Sequence, residues 1–150
     1  MSQFRFRLDP VLTFRRNRKD QILQLMAELL KDDRDFQTRE TAILEERDLQ
    51  MDELRQLSVA AKYDVDRAAS RRYHAGVLSL DLQTLAHQRR LLAEQIDRCR
   101  AELARADQDV KLLEKLREKQ QAEHAKQGEM RAAMEREEAW LGAHWQEVSR

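Results

Sequence analysis

The sequence predicts an all-α chain folded as one long antiparallel two-helix coiled coil, a helical hairpin. Three observations carry this. Charged residues make up 37% of the 150 residues while Gly and Pro number only 3 and 1, too little punctuation for a many-turned sheet protein. Apolar residues reach 41% with only 5% aromatic, and they recur at heptad spacing, enough for a seam between helices but not for a broad core. The third is a single convincing interruption near the midpoint, Tyr73-His74-Ala75-Gly76-Val77-Leu78-Ser79, where Gly76 can end one helix and Ser79 can cap the next. The expected order is an N-terminal arm over 1–9, a first helix over 10–74, a turn over 75–79 and a second helix over 80–146, in a single domain.

In the arm, Phe4, Arg5, Phe6, Arg7 and Leu8 alternate apolar and basic residues, which suits a short extended segment with one apolar face. Phe4 and Phe6 either pack on the base of the helices or anchor a partner, since aromatics beside arginines make good anchors. Asp9-Pro10 is a strong helix start, with Asp as cap and Pro at the first helical position.

The first helix carries one register of Ile22, Leu29, Phe36, Ile43, Gln50 and Leu57. Its companion register reads Met26, Asp33, Glu40, Arg47, Leu54, Ala61 and Ala68. A parallel homodimer would stack Asp33, Glu40 and Arg47 against themselves in its core, so a different, antiparallel helix is the better partner. The second helix has the cleaner seam: Leu82, Leu85, Leu92, Cys99, Ala106 and Leu113, with Ile96, Leu103 and Val110 in the other register and Arg89 as the one interruption. Asp107 and Lys111 form a helix-favouring pair on its outer side. Beyond Leu113 the seam turns polar through Arg117, Gln120, His124, Gln127 and Arg131, then apolar again at Met134, Leu141, Trp145 and Val148. A turn centred on Gly76 places Ile43 near Val110, Leu57 near Ile96, and Pro10 to Arg16 near Trp140 to Trp145.

Lys plus Arg and Asp plus Glu both number 28, giving no bulk reason to bind nucleic acid or an anionic membrane. The balance hides asymmetry. Residues 1–20 hold six basic and two acidic side chains, a net of +4, whereas 37–56 hold three basic and six acidic, a net of −3. A single cysteine, Cys99, excludes an intramolecular disulfide and reads as a small buried hydrophobe at a seam position. No apolar run approaches the roughly 20 residues needed to cross a bilayer, and the N-terminus lacks the apolar segment of a secretory signal, so a cytoplasmic location is expected.

The chemistry-bearing residues do not assemble into a catalytic motif. There is no glycine-rich phosphate loop and no paired cysteine motif, and His74, His87, His124 and His144 are too scattered for a helical metal pair. No catalytic residue, metal or cofactor is expected, and the chain reads as a non-enzyme. Arg15, Arg16, Asn17, Arg18 and Lys19 followed by heptads resemble a zipper's basic region only superficially, because Pro10 stands just upstream and the seam carries charges.

Three stretches together resemble the FliJ family of flagellar export proteins, whose counterparts serve injectisome-type secretion. They are Phe4-Arg5-Phe6-Arg7-Leu8-Asp9-Pro10-Val11-Leu12 leading into Arg15, Arg16 and Asp20; the break and restart through Gly76 and Leu82 to Leu103; and Leu112-Leu113-Glu114-Lys115-Leu116-Arg117-Glu118-Lys119. The resemblance implies a cytoplasmic, non-enzymatic part of the type III export machine, peripherally associated with the inner membrane at the flagellar base. It implies a hairpin similar to the rotor stalk of F-type ATPases that binds the flagellar export ATPase ring, the cytoplasmic domain of the export gate and export chaperones. The chain is expected to be a monomer on its own, with no nucleic-acid partner and membrane contact only through partners. For the ATPase ring the expected contacts are Phe4, Phe6, Arg15, Arg16, Lys19, Arg117 and Lys119; for the export gate they are Leu85, Arg89 and Leu92. Trp140 and Trp145 depart from some family members, and either pack with Phe4, Phe6 and Phe14 as a terminal cluster or form a docking patch. The competing functions are a self-associating coiled-coil scaffold using the polar-interrupted seam, and a basic-helix DNA binder.

Overall fold

The computed structural model describes residues 2–62 and 64–149. Among them there are two helices and no strand: α1 (Asp9–Val59) and α2 (Val65–Val148), paired antiparallel as a helical hairpin. The chain divides into two packing units, one of Met1–Asp20 with Ala104–Arg150 and one of Gln21–Leu103.

In the second unit the expected heptads are the buried stripe. On α1 Ile22, Met26 and Gln50 are buried and Leu29, Asp33, Phe36, Glu40, Ile43, Arg47, Leu54 and Leu57 half-buried. On α2 Leu78, Leu85, Leu92, Ile96 and Cys99 are buried. The Cys99 thiol lies 3.7 Å from the carbonyl oxygen of Ile22, inside the seam, as a free buried cysteine. Residue numbers on α2 fall as those on α1 rise: Asp33 meets Arg89, Glu46 meets His74 and Glu53 meets Arg71.

This register corrects the position of the turn. The break is at 60–64, not 75–79, and Tyr73 to Ser79 are ordinary α-helix. Gly76 has no positive φ, and the seam simply continues back through Leu78 and Ala75 to the buried Ala68. The second helix is capped instead by Asp64, whose Oδ1 accepts the Arg67 N–H at 3.1 Å while its carbonyl accepts the Ala68 N–H at 3.0 Å. Asp66 adds negative charge to the first turn, where the helix dipole favours it. The expected pairings of Ile43 with Val110 and of Leu57 with Ile96 fall with the misplaced turn.

In the first unit the arm behaves largely as its alternation suggests. Phe6 is buried and Phe4 half-buried, and with fully buried Leu12 and with Val110, Leu113 and Leu116 they form a compact apolar cluster. The Asp9 N–H donates to the Phe6 carbonyl at 3.2 Å and the Leu12 N–H to that of Leu8 at 2.9 Å, fastening the arm to the helix start. Further out, Phe4 lies 5.6 Å from the His124 ring, centroid to centroid, and Ser2 Oγ is 3.5 Å from His124 Nε2. The terminal aromatic cluster does not form: Trp140, Trp145 and Phe14 are 58%, 76% and 65% exposed. The reason is again the register, which sets the start of α1 against Arg117 rather than against Trp140 to Trp145.

Candidate partner-binding surface

The basic end of the chain is less free than its sequence implies. In the first unit three cations of early α1 each meet an acid of α2: Arg15 with Asp109 at 3.3 Å, Arg16 with Glu114 at 3.1 Å and Lys19 with Asp107 at 2.9 Å. Arg117 reaches back to Asp9 at 4.0 Å. Asp107 also accepts from Lys111 at 2.8 Å, and the hydrogen bonds from Lys111 and then Lys19 hold its carboxyl below the ordinary carboxylate value. The same contact, led by the Asp107 hydrogen bond, holds the Lys111 ammonium above its ordinary value.

The expected ring contacts therefore separate. Phe6 is core, and Phe4 is half-covered by the same cluster. Arg15, Arg16, Lys19 and Arg117 brace the hairpin through charge pairs. Lys119 remains exposed and makes no ion pair among the described residues. It shares a helix face with Lys115 and with Leu112, which is 66% exposed, since the three are spaced by three and four residues. A second exposed face on α1 repeats the combination: Val11, Phe14 and Arg18 are spaced by three and four residues, and all are exposed. Sequence reasoning missed Val11, Phe14, Leu112 and Lys115. Their signal was an apolar side chain lying outside the heptad and one helical turn from an unpaired cation.

The expected gate contacts lie in the seam of the second unit. Leu85 and Leu92 are buried, so neither presents a surface. Arg89 between them donates from Nε to Asp33 Oδ1 at 3.2 Å and from Nη1 to Glu40 Oε2 at 2.8 Å. The hydrogen bonds it donates to Glu40 and then to Asp33 push the guanidinium pKa further up, so it stays charged. Further along the same seam Arg71 donates to Gln50 at 3.0 Å and pairs with Glu53 at 2.9 Å. The exposed side of the Leu85 to Leu92 stretch carries Arg90 and Leu91.

Among the described residues no group of three or more His, Cys, Asp or Glu side chains could hold a metal ion, and no helix is long and apolar enough to cross a membrane. No protein-family model, curated protein or solved structure matches the chain.

Proposed function

We propose that this chain is a non-enzymatic component of the flagellar type III export apparatus, a stalk-like hairpin that engages the export ATPase ring and links it to the export gate and to chaperone-bound substrates. On this reading it works in the cytoplasm and reaches the inner membrane at the flagellar base only through its partners. The observation that supports it most is in the first unit, where an ion-paired antiparallel hairpin end carries two exposed faces that each combine apolar and basic side chains. Such faces suit a ring whose lining offers acidic and apolar groups: the cation attracts and the apolar group supplies the buried anchor. Arg18, Phe14, Lys115 and Lys119 are the leading ring contacts, with Arg15, Arg16, Lys19 and Arg117 holding the hairpin that presents them. A gate contact in the second unit falls to Arg90 and Leu91, because Leu85 and Leu92 are covered.

The scaffold alternative needs a free seam, and over Ile22 to Leu57 and Leu78 to Leu113 the facing helix already covers it, which leaves that reading the outer positions Met134, Leu141, Trp145 and Val148 alone. A DNA-binding reading needs free cations at Arg15, Arg16 and Lys19, which are instead matched by Asp109, Glu114 and Asp107. The deciding experiment is a pull-down with flagellar export ATPase, followed by ATPase assay with and without this protein. Association and stimulation are expected, with both lost in Arg18→Glu/Lys119→Glu at an unchanged melting temperature. No association of the wild-type chain with the ATPase removes the reading.

A further inference from the structure

One flank of the second unit carries a groove between its two helices that the hairpin itself leaves open. Its volume is about 340 Å³; Leu30 and Ile96 form the floor, and Arg90, Ala93, Asp97 and Arg100 the α2 wall. Leu30 is 37% exposed, and Leu23, one heptad before it on the same face of α1, is 44% exposed. Ala27 and Ala93 are exposed as well, so neither helix raises a bulky side chain over this stretch. Charge is divided between the two flanks. On the groove side Arg34, Arg90 and Arg100 stand against one acid, Asp97, which lies 3.9 Å from Arg100, while Arg34 and Arg90 make no ion pair among the described residues. On the opposite flank Glu28 and Asp32 stand against Arg98, and Lys31, Asp35 and Glu94 lie on the outward ridges between the two.

We infer that this groove docks an acidic amphipathic helix of another protein, laid against α1 and α2 as a third helix. The backbone decides that the occupant is helical. Both walls are α-helices whose N–H and C=O groups bond within themselves, so an extended segment would find no backbone partner here, whereas a helix arrives with its own groups satisfied. Ala27 and Ala93 let its axis approach to roughly the 8–10 Å of ordinary helix packing. Charge decides the flanks of the occupant. Three cations against one acid attract glutamate or aspartate, and Arg90 and Arg100, about 15 Å apart along α2, bracket the bound helix. The same charges oppose a second copy placed groove to groove, which would bring the arginines of one chain against those of the other. Nucleic acid or an anionic lipid surface would find few phosphate contacts here and would leave the apolar floor unused. The inference stands on this groove and does not rest on the export reading: of the gate contacts proposed above, only Arg90 reaches it.

Fluorescence anisotropy with the full chain tests this. The probe is a fluorescein-labelled helical peptide of about 20 residues with leucine at heptad positions a and d and glutamate at e and g, set against its counterpart with lysine at e and g. The glutamate peptide should bind with a Kd on the order of 10–100 μM that weakens as salt is raised, and the lysine peptide should not bind. Arg90→Glu/Arg100→Glu should weaken binding at least about tenfold, and Ala93→Phe, which fills the groove without changing charge, at least about fivefold, both with the melting temperature unchanged. Arg98→Glu, on the opposite flank, should leave binding within about twofold of the wild type. No binding of the glutamate peptide overturns the inference, as does equal binding of the lysine peptide or an Ala93→Phe variant that binds like the wild type. So does a groove taken by something else: a sedimentation mass above 17.8 kDa that Ala93→Phe restores to that value, or anionic vesicles or duplex DNA held through Arg90 and Arg100 while the peptide stays free. Neither ATPase nor gate is present in these measurements, so their failure and that of the export reading are distinguishable.

Discussion

Arg89 of α2 donates from Nε to Asp33 of α1 at 3.2 Å, and its Nη1 reaches Glu40 one heptad away at 2.8 Å. One cation thus answers two acids that sit at heptad core positions. A half-buried pair of this kind offers little net stability over well-packed apolar residues, but losing one partner leaves the other charges unmatched. Its larger effect is on register, since sliding α2 along α1 by one heptad would take Arg89 away from one of the two acids and face that acid with Leu82 or Ile96.

Arg89→Met should therefore lower the melting temperature by roughly 2–4 °C. Arg89→Met with Asp33→Leu and Glu40→Leu should recover it. Thermal melts by circular dichroism read both, and a single variant that melts like the wild type would show that the charges are merely solvated.

Among the described residues Leu12 is the one large side chain fully removed from solvent, clustered with Phe6 and Val110. Leu12→Ala should cost about 3 kcal/mol by urea denaturation and release the arm. Phe14→Ala, two residues on but 65% exposed, should stay within about 0.5 kcal/mol of the wild type. The contrast checks that the arm is fastened from inside.

Much of the hairpin was legible. The heptad positions named from Ile22 to Leu57 and from Leu82 to Leu113 are buried or half-buried, Cys99 and the polar intruders Asp33, Glu40, Gln50 and Arg89 included, whereas Ala61 and the outer positions Met134, Leu141, Trp145 and Val148 are exposed. The turn was not, for a physical reason. The alternating steps of three and four run without a phase break from Leu54 and Leu57 through Ala61 to Ala68, Ala75 and Leu78, so periodicity offers nothing to mark the reversal. Gly76 was then the obvious breaker. The missing signal was complementarity: had Arg89 been matched to the acids at Asp33 and Glu40, the register would have put the turn near 60–64. The same error left Arg15, Arg16 and Lys19 looking free, because it paired early α1 with Trp140 to Trp145 instead of Asp107, Asp109 and Glu114.

Acid should loosen the first unit through Asp107. Hydrogen bonds from Lys111 and Lys19 depress its folded-state pKa below the ordinary 3.8, so its stabilisation is complete above that value. As the pH falls, the unfolded carboxylate protonates first. The contribution shrinks, and it is gone once the pH lies below the folded value. Lys111 gives the opposite limb: raised above 10.5, it stabilises fully below that pH and loses the contribution as pH rises through the folded value. Melting temperatures recorded from about pH 6 down to about pH 2 should fall less steeply for Asp107→Asn than for the wild type. Parallel curves would show that the two lysines do not act on this carboxylate.

The sharpest test of the fold sets Gly76 against Asp64. If the chain reversed at Gly76, an added side chain would strain a left-handed turn residue and destabilise the protein. In the structure Gly76 is mid-helix without positive φ, and a Cβ there meets no atom within 4 Å. Alanine then costs nothing in the folded state and restricts the unfolded chain, so Gly76→Ala should stabilise by about 0.5–1 kcal/mol. Asp64→Ala should do the reverse. It removes the carboxylate that accepts the Arg67 N–H at the first turn of α2, a loss of about 1 kcal/mol, and Asp64→Asn should keep most of that cap. Urea denaturation of the three variants decides the matter by sign alone: a destabilised Gly76→Ala together with a neutral Asp64→Ala would return the turn to residues 75–79.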